Sequence, residues 1–259
     1  MITHYKEKIL SQSTAVRTAI LSEVKEVVNS VVPDLTSVRP FKTDIKKWLK
    51  PVIDLSDFSV YPMNGITEGL NWWMQNSQYN IWRDAGDYQW VDLINGRMNP
   101  HTVYQSIPSA IDGNFKEVNG HQSVALDLAY VGSTIIKKIE INKNVKHVFF
   151  SLSKPFGLRN IRTGWYFSRE PDSKLDSLIS SAKYFNYYAT DVAEKVISNF
   201  DIDYVYNSIS TKQKAICNLL DFNPSDSVWL ATTTNVDYKK FRRSGDVARI
   251  SLSGVYDIC

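Results

Sequence analysis

The densest grouping of reactive side chains lies in Ser151-Leu152-Ser153-Lys154-Pro155-Phe156-Gly157-Leu158-Arg159-Asn160-Ile161-Arg162-Thr163-Gly164-Trp165. A lysine just beyond a buried strand is partly desolvated, which favours the neutral amine that condenses with an aldehyde. Arg162 follows Lys154 by eight residues, and with Ser151 it offers a cation and a hydroxyl to one anion. Taken singly, Lys154 reads as a solvated loop lysine and Arg162 as a surface cation. Their joint spacing with Ser151 and Gly164, between two apolar runs, is what favours chemistry. A second grouping, Asn64-Gly65-Ile66-Thr67-Glu68-Gly69, is a glycine turn that opens a helix. Backbone N–H groups at such a helix start attract an anion, and Gly65 lets the chain approach it closely. Standing alone, the same residues make an ordinary N-capped helix.

The first segment resembles the cofactor-lysine signature of the fold-type-I, pyridoxal-phosphate-dependent aminotransferases of class I/II, where Ser-x-x-Lys is followed by Arg and then by x-Gly. That resemblance implies that Lys154 carries pyridoxal 5'-phosphate and that Ser151, Arg162, Gly65, Ile66 and Thr67 anchor its phosphate. Val124-Ala125-Leu126-Asp127-Leu128-Ala129-Tyr130 is similar to the family's Asp-x-Ala-Tyr. Asp127 would keep the pyridine nitrogen protonated, so that the ring acts as an electron sink, and Tyr130 would donate to the phenolic oxygen. Without the resemblance, Asp127 reads as a helix cap and Tyr130 as a core residue. Gly86-Asp87-Tyr88-Gln89-Trp90 stands where the family places an aromatic ring over the cofactor, and Tyr88 is the choice over Trp90. Ala248-Arg249-Ile250-Ser251-Leu252-Ser253 resembles the strand whose arginine binds the substrate α-carboxylate, a role that falls to Arg249. The other reading of Arg249 is an edge-strand cation. Ser106 to Gly113 stands where members have an Asn-Pro turn ending in Gly. Ile107 is read as replacing the asparagine, which leaves Tyr130 alone at the phenolic oxygen. No residue is assigned to a substrate's side-chain carboxylate, nor any tyrosine to a partner subunit.

These residues need strands to end beside them. Short apolar or alternating runs at Phe58 to Tyr61, Thr102 to Ile107, Ser123 to Leu128, His147 to Leu152 and Gly164 to Ser168 read as strands. Helical stretches separate several of them, notably Thr67 to Met74, so the expectation is an α/β domain with a mostly parallel central sheet flanked by helices. Val16, Ile20, Val24, Val27 and Val31 fall at steps of three and four, which predicts one amphipathic helix from Ile9 to Val31. Residues 171 to 220 read as helical, and Val228 to Thr232 and Val247 to Leu252 as closing strands. The expected division is a cofactor-binding large domain at 41–200, with 1–40 and 201–259 forming a reduced small domain and flanking helices.

With 43% hydrophobic and 22% charged residues among 259, the chain can bury a sizeable core, which excludes disorder. A formal charge of +3 without long like-charged blocks gives no sign of a nucleic-acid partner. Cys217 and Cys259 and four scattered histidines suit neither a disulfide framework nor a metal site, so a reducing cytoplasm is expected. Neither a secretory signal nor a membrane span is read. By resemblance, the expected activity moves an amino group between an α-amino acid and a 2-oxo acid in a homodimer. Elimination, decarboxylation or racemisation on the same cofactor, or a non-catalytic relative, are the competing readings.

Overall fold

A computed structural model describes residues 2–34, 36, 38–76, 80–94, 100–120 and 123–256. Helices α1 (Ile2–Leu10), α2 (Ser22–Asn29) and α3 (Ile45–Leu49) precede the first strand, β1 (Ser59–Met63). Then come α4 (Ile66–Asn76), β2 (Asn80–Arg83), α5 (Trp90–Ile94), β3 (Pro100–Ser106), β4 (Val124–Asp127), β5 (Val145–Phe150) and β6 (Gly164–Ser168). A helical stretch follows: α6 (Ser173–Asp176) runs into a π-helical turn at Ser177–Ser181, then α7 (Tyr187–Asn199) and α8 (Tyr204–Leu220). The chain closes with β7 (Asn223–Pro224), β8 (Leu230–Thr233), a 3-10 helix at Val236–Phe241, β9 (Arg242–Ser244) and β10 (Val247–Ser251).

Six strands form the central sheet in the order β1-β6-β5-β4-β3-β2. Strands β2 to β5 are mutually parallel, and β6 and β1 run antiparallel at one edge. The mostly parallel α/β architecture read from the sequence is therefore present. Its two faces are written into the alternation of the strands. Ala125, Phe149 and Tyr166 point to a cluster with Leu70, Trp73 and Met74 of α4, while Leu126, Val148, Phe150, Trp165 and Phe167 point to the larger core. Val24 and Val28 of α2 and Val192 and Val196 of α7 belong to that larger core. Covering both faces buries every residue of β4 and β6, which is why β4 is apolar up to Asp127 and β6 carries bulky aromatic residues up to Ser168 rather than alternating with polar ones. Strands β7, β8, β10 and β9 form a second, wholly antiparallel sheet. It joins the rest through a bridge between Thr134 and Ser227 and through the indole of Trp229, which donates to the Pro155 carbonyl at 3.2 Å.

The predicted helix from Ile9 to Val31 is broken in two. Residues between α1 and α2 run as an irregular strap held by tertiary partners: the Thr18 hydroxyl donates to the Ser153 carbonyl at 3.1 Å, and Arg249 Nη2 donates to the Thr14 carbonyl at 3.3 Å. Val16 is buried all the same. Its spacing to Ile20 and Val24 matched a helix, but long-range packing and the polar run Ser11-Gln12-Ser13-Thr14 decide the local conformation. Cys217 is buried, and burial raises its thiol to about 11. Cys259 lies outside the described residues. Among the described residues, no helix is long and apolar enough to cross a membrane.

Candidate active site

Strands β3, β4 and β5 deliver their C-terminal ends to one place. Ser106 ends β3, Asp127 ends β4, and Ser151 follows the last residue of β5; all three line a cavity of ≈ 290 Å³. Crevices beyond the carboxyl ends of parallel strands are where open α/β sheets bind ligands. Gly65, Ile66, Thr67, Tyr88 and Tyr130 line the same cavity, as do Lys154, Arg162 and Arg249. All ten residues singled out in the sequence thus converge on one space.

At one end the turn from β1 to α4 forms a cradle. Gly65 has φ +83°, and a Cβ there would sit 2.7 Å from Arg162 Nη2. That absence lets the Arg162 guanidinium lie over the turn, where Nη2 donates to the Asn64 carbonyl at 2.8 Å. The N-terminus of the 11-residue α4 opens beside it, with the Thr67 and Tyr88 hydroxyls 3.4 Å apart. Ser151 is buried next to this end and its Oγ accepts from the Ser153 N–H at 3.3 Å. A hydroxyl, a guanidinium and a helix start are the donor set that suits a phosphate group.

The opposite end belongs to Asp127. Its Oδ1 accepts from the Ala129 N–H at 2.7 Å and its Oδ2 from the Tyr104 hydroxyl. Burial lifts the carboxyl to about 6, while the Tyr104 and Ala129 donors act against the rise. Tyr130 is buried, and burial raises its phenol. Lys154 stands between the two ends on the turn after β5, and its Nζ donates to the Val16 carbonyl of the strap. Burial first and the Arg249 charge second bring its amine down to about 8, against an opposing pull from Asp127. A large fraction of Lys154 is therefore neutral near pH 8, as a nucleophilic amine must be.

Arg249 is 5% exposed; Nη1 donates to the Ala110 carbonyl and Nη2 to that of Thr14, while Nε is buried without a partner. Ile107 does not face the cavity. The strand alternation that turns Ser106 inward sends Ile107 into the core, fully buried, and Ala110 lines the cavity instead. Sequence reasoning also passed over Tyr104, Arg243, Arg159 and the strap residues Ala15 to Thr18, which line the cavity except for Tyr104. Tyr104 was legible in principle, since it lies two residues before Ser106 on the same strand face, and Ser106 pairs with Asp127. Nothing local marks Arg243 as more than part of an arginine pair.

No family model matches the chain, and no curated protein matches it in sequence. Solved structures do match. Histidinol-phosphate aminotransferase from Sinorhizobium meliloti, determined in complex with pyridoxal-5'-phosphate, is 15% identical with a TM-score of 0.64, covering 97% of this chain and 89% of that one. L-threonine-O-3-phosphate decarboxylase from Porphyromonas gingivalis is 14% identical with a TM-score of 0.59, over 93% and 95% of the two chains. A putative PLP-dependent β-cystathionase from Corynebacterium diphtheriae is 9% identical with a TM-score of 0.65, over 92% and 87%. The chain has the fold of these enzymes. Since they differ in the reactions their names give, the shared fold leaves the reaction of this chain to the side chains of its cavity.

Proposed function

We propose that the chain is a pyridoxal-phosphate-dependent aminotransferase that moves an amino group between an α-amino acid and a 2-oxo acid. The observation that carries this reading is the convergence of a partly neutral lysine, a buried aspartate and a glycine-lined anion cradle on one cavity. The donor set fits the cofactor from end to end, and the cavity is close to the lower bound of about 300 Å³ for small-molecule sites. When bound, pyridoxal phosphate supplies an aldehyde for an amine and a ring that takes up electron density from the substrate's α-carbon.

The protein's side chains supply the rest. Gly65, Ile66, Thr67, Ser151 and Arg162 hold the phosphate by backbone N–H, hydroxyl and guanidinium donors. Asp127 holds a proton at the ring nitrogen, Tyr130 donates to the phenolic oxygen, and Tyr88 covers the ring. Arg249 orients the substrate α-carboxylate. Lys154, once the substrate amine has taken its place, carries a proton on Nζ to and from the α-carbon. The same reading takes 41–200 as the cofactor-binding part and a cytoplasmic homodimer as the working form, the dimer to be checked by sedimentation.

Adding the cofactor to purified protein, reducing with borohydride and mapping the modified residue tests the assignment. A yellow absorption band and a reduced adduct on Lys154 are expected; no band, or an adduct elsewhere, rejects it. Amino acids should then convert the bound cofactor to its pyridoxamine form. Release of a keto acid without that conversion would move the reaction to elimination.

A further inference from the structure

Asp87 is a buried carboxylate that the proposed reaction leaves without a task. It is 3% exposed, lies between β2 and α5, and is not among the residues that line the cavity. Burying an ion without a counter-charge is costly. Asp87 nonetheless belongs to none of the ion pairs of the described residues, and Arg83, at the head of its loop, pairs instead with Asp92 of α5. Three donors hold the carboxylate. Its Oδ1 accepts from the Tyr88 N–H at 2.6 Å and from the Ser106 hydroxyl, and its Oδ2 accepts from the Ser106 N–H at 3.1 Å. Both partners line the cavity, yet Tyr88 comes from the loop and Ser106 from the end of β3.

An ionised carboxylate can only accept, so the one hydrogen of the Ser106 hydroxyl is committed to Asp87 and its free lone pairs are left for the cavity. Tyr104, two residues earlier on the same face of β3, gives its hydroxyl hydrogen to Asp127 in the same manner. Alternate residues of one strand thus each serve a buried carboxylate, Asp127 in the cavity wall and Asp87 behind it. An asparagine would not satisfy the three donors around Asp87, because whichever way it turned its NH2 would face one of them. The arrangement therefore calls for a carboxylate. We propose that Asp87 is a positioning residue of the site, clamping Tyr88 to the end of β3 and fixing Ser106 as a hydrogen-bond acceptor toward the ligand. The proposal rests on reading the cavity as a pyridoxal-phosphate site with Tyr88 over the ring. The same charge reaches Asp127: burial first, and Asp87 with it, raise that carboxyl, while Tyr104, the Ala129 N–H and Lys154 lower it.

The test follows binding of pyridoxal phosphate to the full chain by fluorescence, at pH values on both sides of about 6, where Asp127 titrates. Affinity should fall below that value as Asp127 takes up a proton and loses its hold on the ring nitrogen. D87N removes a neighbouring negative charge, so the midpoint of that fall should move downward. It also breaks the clamp, so affinity above the midpoint should drop about tenfold, the loss expected for one hydrogen bond to a charged group. S106A keeps the Asp87 charge; it should lose part of the affinity and leave the midpoint in place. A residue that merely holds the loop would lower the denaturation temperature of D87N without moving the midpoint. That outcome, or an unchanged affinity in D87N, overturns the proposal. D87E, which keeps the charge but displaces it, stands in if D87N does not fold, and there an unchanged affinity is the overturning result. If the unaltered protein takes up no cofactor, the cofactor reading fails on that ground alone. Hydrogen exchange of the cofactor-free chain then decides the clamp: the Tyr88 and Ser106 amides should exchange at least about tenfold faster in the variant than in the unaltered protein, and equal rates overturn it.

Discussion

Lys154 sits among charges that pull its proton in opposite directions. Burial and Arg249 favour the neutral amine and Asp127 favours the ammonium, with the balance at about 8 rather than the ordinary 10.5. Below that value the ammonium dominates, so trapping of pyridoxal phosphate by borohydride should accelerate as pH rises through about 8 and then level off. Replacing Arg249 by Gln removes a like charge and should move the midpoint of that rate profile upward. A profile centred near 10 in the unaltered protein would show that Lys154 is solvated. Tyr104 sets a second expectation. Its hydroxyl helps to keep Asp127 ionised, so Tyr104→Phe should raise the carboxyl further and weaken cofactor binding by about tenfold, the loss expected for one hydrogen bond to a charged group. Fluorescence titration with pyridoxal phosphate checks this, and an unchanged affinity would reject it. Lys154, Ser151 and Arg162 were legible in the sequence because their spacing is local. Tyr104 and Arg243 were harder to find because strand pairing across the fold brings them to the cavity.

The strap between α1 and α2 shows how an element can be hidden by its own apolar residues. Val16 and Ile20 have helical spacing, yet the chain there is positioned by Ser153, Arg249 and the turn after β5. Gly157, at φ +73°, makes room for it: a Cβ would lie 2.5 Å from the Ala19 carbonyl oxygen. Gly157→Ala should therefore cost about 1–2 kcal/mol for the left-handed backbone alone, visible in denaturant melts. It should also lift the strap, so that trypsin cuts after the exposed Arg17 faster than in the unaltered chain. Equal cleavage rates would mean that the strap does not depend on that close approach. The central strands were legible for the opposite reason. Both faces of β4 and β6 are covered, so their apolar runs carry the assignment without help from elsewhere. The short strand β2 at the sheet edge gave no such run.

Across the whole molecule, Trp229 links the antiparallel C-terminal sheet to the turn that carries Lys154. It is fully buried and donates to the Pro155 carbonyl. Trp229→Ala should destabilise the protein by about 3–5 kcal/mol in chemical denaturation. Trp229→Phe should recover most of that loss but leave the carbonyl unpaired, and a loss equal to that of Ala would show that the hydrogen bond outweighs the packing. The two-sheet architecture could not be read in full from local pattern, because the partners of β9 and β7 are set by pairing rather than by their few residues. The strap makes the same dependence visible in time. Thr14 and Arg17 are translated early, yet their carbonyls accept from Arg249 and Ser253, which lie 235 and 236 residues later. During synthesis the wall nearest Lys154 is complete only after the last strand has left the ribosome. The contacts of the strap with Ser153 and Lys154 can form before that, so the wall gains one set of partners early and the other only when β10 and Ser253 are in place.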